Sequence, residues 1–256
     1  MAGFLRGLGL GDDDSATGRA QQVMYKAWEA RDPATRARLA GKALGISPDC
    51  ADAYVLLAEE APSLTVAREM LEKGVAAGER ALGVGFFDEN VGHFWGLLET
   101  RPYMRARAAL ADILWHQGDR DAALAHYREL LRLNPGDNQG VRQLLVGRLL
   151  EVDAAAEAQD ILERYEGDGS AWMTYARALV AFRRGGDTAS ARRLRAAAVK
   201  HNPHAPAYLL GRKMLPRALP GYHGFGDEAE AMLYAADGAG PWRNTPGALE
   251  WLAAEA

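Results

Sequence analysis

A single cysteine, Cys50, in a chain of 256 residues excludes an intramolecular disulfide and any cysteine-based metal cluster, and it fits a reducing cytoplasm. No stretch approaches the roughly 20 apolar residues that a membrane-spanning helix needs. β-branched residues are sparse beside alanine, leucine, arginine and glutamate, so helix is favoured throughout. The net charge of −4 is too small to point to nucleic acid or an acidic membrane surface as the main partner. No nucleophile elbow, phosphate-cradling glycine loop or dinucleotide fingerprint occurs, and the glycines of 7–11 and 221–226 do not stand between a strand and a helix. The residues therefore name no catalytic group and no cofactor.

What is present is an ordinary globular composition, with 48% apolar and 25% charged residues, on a chain long enough to bury a sizeable core. The N-terminus is apolar but broken by glycine, and Asp12, Asp13 and Asp14 follow it directly, so it does not read as a signal peptide. Residues 1–14 read as a flexible arm; a second reading makes Phe4, Leu5, Leu8 and Leu10 a short docking segment for a neighbouring copy.

The strongest pattern is an internal repeat. Tyr103 to Asp137 holds two helical patterns flanking a Gly118-Asp119 turn, and Asn134-Pro135-Gly136 closes the unit. Gly-Asp recurs at 186–187 and Asn-Pro at 202–203, each two periods of about 34 residues further on, the length of a tetratricopeptide repeat. The expected fold is all-α: a tetratricopeptide-like α-solenoid of helix–turn–helix repeats with C-terminal capping helices. Residues 15–203 form the solenoid, and 204–256 form a linker and capping helices with one polar face. Within the solenoid, 83–101 departs from the pattern, and its Phe86, Phe87, Phe94 and Trp95 are too apolar to leave in water. That insertion is either a lid over a groove or packing against adjacent repeats. Helix starts are expected at Ser15, Ser63, Ser170, Asp227 and Thr245, the last followed by Pro246 at the first helical position.

Asp112 and His116 stand one helical turn apart on the first helix of the central repeat, and Glu89 and His93 share that spacing in the insertion. Together the four compose an alternative reading as a metal or enzyme site, although no ligand motif of defined spacing supports it. His201 and His204 flank a loop proline, and Cys50 has no motif around it. The arginines Arg101, Arg105 and Arg107, with Arg183 and Arg184, offer forks that suit carboxylates. With Arg105, Asp112, His116 and Arg142 lining a groove, the chain would take a polar or acidic peptide. The competing account is that these arginines serve internal salt bridges.

Several stretches resemble the suppression-of-tumorigenicity-seven family. They are Cys50 to Glu60, His201 to Leu210, Gly226 to Ala231, and Trp242 with Gly247-Ala248-Leu249. The resemblance implies a bacterial-type soluble relative built of tetratricopeptide-like repeats. Animal members are membrane proteins with hydrophobic N-terminal segments, which this sequence does not show. It implies no catalytic residues, and it draws attention to Glu59, Glu60, His204 and Tyr208. The expected function is thus a non-catalytic scaffold, a monomer or weak homo-oligomer, that binds a peptide or protein partner through Arg105, Asp112, His116 and Arg142.

Overall fold

The structure is a computed structural model that describes residues 15–254, and among these every regular element is a helix. The arm at 1–14 lies outside the described residues. The chain divides into two compact units, Met1–Val141 and Arg142–Ala256.

The first unit contains α1 (Ala16–Glu29), α2 (Pro33–Ile46), α3 (Ala51–Glu59), α4 (Leu64–Leu82), α5 (Val84–Glu89), α6 (Arg101–His116) and α7 (Arg120–Leu133). The starts follow local chemistry: Ser15 accepts from the Gly18 amide, Asp32 from Thr35 ahead of Pro33, and Ser63 from Val66. Each helix packs on its chain neighbour, α1 on α2, α2 on α3, α3 on α4 and α6 on α7, while α4 reaches α6 and α3 touches both α1 and α6. Fully buried alanines at 20, 27, 40, 43 and 53 let these axes approach closely. Between α4 and α6 even alanine is too large, because a Cβ on Gly78 would sit 2.8 Å from the Tyr103 Cβ.

The irregular 83–101 insertion forms α5 and two short 3₁₀ turns, Phe94–Gly96 and Leu98–Thr100. Phe94 is fully buried, with ring contacts to Phe86, Phe87 and Tyr103, and the Gly92 amide donates to the Leu133 carbonyl at 3.1 Å. The insertion is therefore packed into the first unit through its aromatic rings.

The second unit contains nearly all of α8 (Val141–Glu151), then α9 (Ala155–Arg164), α10 (Ala171–Gly185), α11 (Ala189–His201), α12 (Ala205–Leu209), α13 (Glu228–Arg243) and α14 (Ala248–Ala253). Its core is aromatic: Tyr175 lies against Tyr234 and Trp242, and Trp251 stacks on Phe182 at 4.6 Å. Two of its indole tips are paired, with Trp242 Nε1 donating to Tyr234 at 2.8 Å and Trp251 Nε1 to Asp187 at 2.7 Å. Asn202 explains the second Asn-Pro: its side-chain Oδ1 accepts from the His204 and Ala205 amides, turning the chain out of α11.

Two expected caps are replaced. Ser170 precedes α10 without a capping hydrogen bond, and Glu230 from α13 takes the Ala171 amide at 3.0 Å instead. Thr245 does not open the last helix; its hydroxyl donates to the Pro241 carbonyl at 2.7 Å, and Gly247, at φ 76°, precedes α14. A left-handed backbone there suits glycine rather than threonine.

Two stability predictions follow from the first unit. Gly78→Ala should cost about 1–3 kcal/mol in denaturant unfolding, because the added methyl meets the Tyr103 backbone as well as its side chain. Burial, reinforced by the nearby Arg107 charge, depresses the half-buried His126 imidazole to about 4. A depressed folded value means that its contribution is complete above the ordinary 6.5 and is lost as pH falls from there towards 4. His126→Gln should remove on the order of 2 kcal/mol of the stability lost between neutral pH and that range, seen as a flatter stability–pH curve.

Candidate functional site

Helix α6 carries the sequence-derived candidates. Tyr103, Met104, Ala106, Leu110, Ala111, Leu114 and Trp115 are buried on it, so its core faces are committed. Along what remains, Arg101, Arg105, Ala108 and Asp112 are half-exposed and His116 is exposed. Steps of four, three, four and four residues put these five on one side of the helix. Within this stripe His116 Nδ1 donates to the Asp112 carbonyl at 2.8 Å and lies 3.6 Å from its carboxylate.

Arg105 is tied inward. Its guanidinium donates both Nε and Nη2 to the Asp52 carboxylate, at 2.8 and 2.5 Å, and its Cζ stands 5.2 Å from the centre of the Trp28 ring. Asp52 is fully buried on α3 and accepts a third bond, from Gln21 Nε2 at 2.8 Å. A carboxylate without water needs such compensation, and here helices α1 and α6 supply it. Sequence reasoning missed Asp52. Its signal was one acid inside the apolar run Cys50-Ala51-Asp52-Ala53.

Arg142, in the second unit, repeats the arrangement. Its Nε donates to Asp168 at 2.6 Å, and its Cζ lies 5.2 Å from the Tyr165 ring centre. Burial pushes the Asp168 carboxyl upward, but bonds from Ser170 and Arg142 outweigh it and hold the group below its ordinary value. Arg101 and Arg183 are also engaged: Arg101 donates to the Trp95 carbonyl, and Arg183 to the Leu150 and Pro241 carbonyls and to Thr245. Glu59 and Glu60 at the end of α3 both hold Arg36 of α2, at 2.6 and 3.2 Å. Tyr208 donates to Glu228 at 2.9 Å, and the His204 amide is held by Asn202.

The four-residue metal reading does not assemble. Among the described residues no three histidines, cysteines, aspartates or glutamates stand together as a metal would need, so Glu89 and His93 do not join Asp112 and His116 in one cluster. His201 lies 3.6 Å from Glu230, a carboxylate already filled by Ala171, Asn202 and Gly226 donors. Cys50 is buried, and desolvation pushes its thiol up to about 11, so it is no nucleophile at neutral pH. A cavity in the second unit, lined by Leu144, Trp172, Tyr234 and Trp242, has a volume of about 20 Å³, room for one water rather than a substrate. No helix among the described residues is long and apolar enough to cross a membrane.

The inward tie of Arg105 is testable. Arg105→Ala leaves the Asp52 charge buried with one amide donor and should cost about 3 kcal/mol in denaturant unfolding. The exposed His116→Ala should stay within about 0.5 kcal/mol of the wild type in the same measurement.

Comparison with known proteins adds a family. The model of the ST7 protein family matches residues 7–255. The chain is similar to the suppressor of tumorigenicity 7 protein-like of Gallus gallus, 32% identical over 265 aligned positions that cover 94% of this chain and 47% of the relative. It is 30% identical to the protein ST7 homolog of Caenorhabditis elegans, over 93% of this chain and 51% of that one. The suppressor of tumorigenicity 7 protein-like of Homo sapiens is 32% identical, over 90% and 44%. The chain thus spans about half the length of the curated relatives it matches.

Proposed function

The chain belongs to the ST7 protein family, and from that premise we propose that it is a non-catalytic scaffold of tetratricopeptide-like repeats, working in a reducing cytoplasm, that binds an extended peptide segment of a protein partner along α6. The observation that carries the reading is the stripe on α6 where half-exposed Arg101, Ala108 and Asp112 lead to the exposed His116, beside an Arg105 turned inward on Asp52. The small side chain of Ala108 leaves room for a peptide backbone between a cationic end and an end bearing the Asp112 carboxylate. The stripe suits a segment with an acidic residue towards Arg101 and a basic one towards Asp112. Packing of each helix on its chain neighbours in the first unit supports a solenoid of repeats, as do the left-handed glycines at Gly118 and Gly186. The buried, protonated Cys50 thiol is at home in a reducing compartment.

Affinity capture with the immobilised chain, wild type against Asp112→Lys/His116→Glu, tests this. Both positions are outside the core, so the helical circular dichroism and the unfolding midpoint should be unchanged while specific partners drop at least about tenfold. Equal capture by both proteins rejects the stripe. No specific capture by the wild type rejects the scaffold reading.

A further inference from the structure

Between α12 and α13 lies a segment without helix, 210–227, whose residues 211–219 are exposed without interruption. Its apolar side chains stand outward: Met214 is 87% exposed, Tyr222 84% and Phe225 76%, with Leu215 and Leu219 also in water. The ends of the segment are pinned. The Lys213 amide donates to the Ala207 carbonyl at 2.9 Å and its ammonium to Glu228 at 2.6 Å; at the far end the Gly224 and Gly226 amides donate to Asp227 and Glu230. The His223 ring lies 5.6 Å from Trp172. A loop fixed at its ends, with its apolar side chains turned to water, asks for something to cover it.

Charge says what that is. No aspartate or glutamate occurs between Asp187 and Asp227, a span that contains Arg192, Arg193, Arg195, Lys200, Arg212, Lys213 and Arg217. The overall charge of −4 conceals this asymmetry. Arg193, Lys200 and Arg217 are exposed, and the His201 ring that follows Lys200 lies 6.4 Å from Phe225, so the basic end of α11 adjoins the apolar loop.

We propose that the 210–227 loop, with the basic end of α11, docks the protein peripherally on an anionic lipid surface. Outward Tyr, Phe, Met and Leu side chains among arginines and lysines are what a headgroup layer accepts, since the apolar groups reach the acyl boundary while the cations meet phosphates. The irregular backbone of the loop stays at headgroup depth, where water still satisfies its amides. A protein partner would have to be concave to receive such protruding side chains, whereas a lipid surface conforms to them. The sequence-based expectation of no membrane contact rested on net charge and the lack of a span, and neither bears on a protruding loop. The proposal stands apart from the α6 stripe, on a different unit.

The test is co-sedimentation of the full chain with vesicles of phosphatidylcholine alone and of phosphatidylcholine mixed equally with phosphatidylglycerol. Wild type should bind the anionic vesicles, release in high salt, and bind pure phosphatidylcholine at least about tenfold more weakly. Tyr222→Ser/Phe225→Ser should keep the wild-type circular dichroism and lose about tenfold or more in binding; Lys200→Glu/Arg217→Glu should lose the preference for anionic vesicles. No binding to either vesicle, or undiminished binding by both variants, overturns the proposal. Self-association of the wild type that Tyr222→Ser/Phe225→Ser abolishes, without vesicle binding, shows a protein interface and also overturns it. Partner capture through Asp112 and His116 is read separately and is unaffected by either loop variant.

Discussion

Asp52 keeps its carboxylate at zero exposure, and the arrangement of the first unit is built around making that tolerable. Three donor bonds from α1 and α6 converge on it, so these two helices are fixed to α3 by a charge that has no water to fall back on. The Trp28 ring lies against the same Arg105 guanidinium, its centre 5.2 Å from Cζ. The second unit solves the same problem independently with Glu230, which is also fully buried and gathers Ala171, Asn202 and Gly226 around the start of α13. In each unit a buried acid thus ties together helices that are distant in sequence.

This requirement decides how the arginines are used. Arginine forks attract attention as carboxylate binders, yet Arg105 and Arg142 meet carboxylates of their own units, and Arg183 is spent on backbone carbonyls. On α6, His116 donates to the Asp112 carbonyl and lies 3.6 Å from its carboxylate at the helix surface. The cavity beside Trp172 is about the size of one water.

The outer surfaces of the two units differ in kind. In the first, aromatic rings of the 83–101 insertion turn inward on Tyr103, so an irregular, glycine-rich stretch becomes part of the core. In the second, another irregular, glycine-containing stretch turns its apolar groups outward. The difference lies in the neighbours: Phe94 finds three rings to pack against, whereas nothing in the second unit covers Met214 or Tyr222.

The amino-acid order determined the helical class, most helix starts and the paired turns, because these depend on residues within a few positions of one another: Ser63 and Val66, Asp227 and Glu230, Gly118 before α7. Helices α10 and α14 begin otherwise than expected because Glu230 and Pro241, distant in sequence or in the preceding helix, supply the better partner. No shift in composition announces the division at Val141, and none predicts that Arg105 would face Asp52, 53 positions away. Resemblance to a family could name the chain's relatives, but the use of each arginine and the exposure of each aromatic are long-range facts. Burial, and the need to satisfy charge once buried, are properties of the packed chain, so only the tertiary structure decided which polar residues are held inside and which stay at the surface.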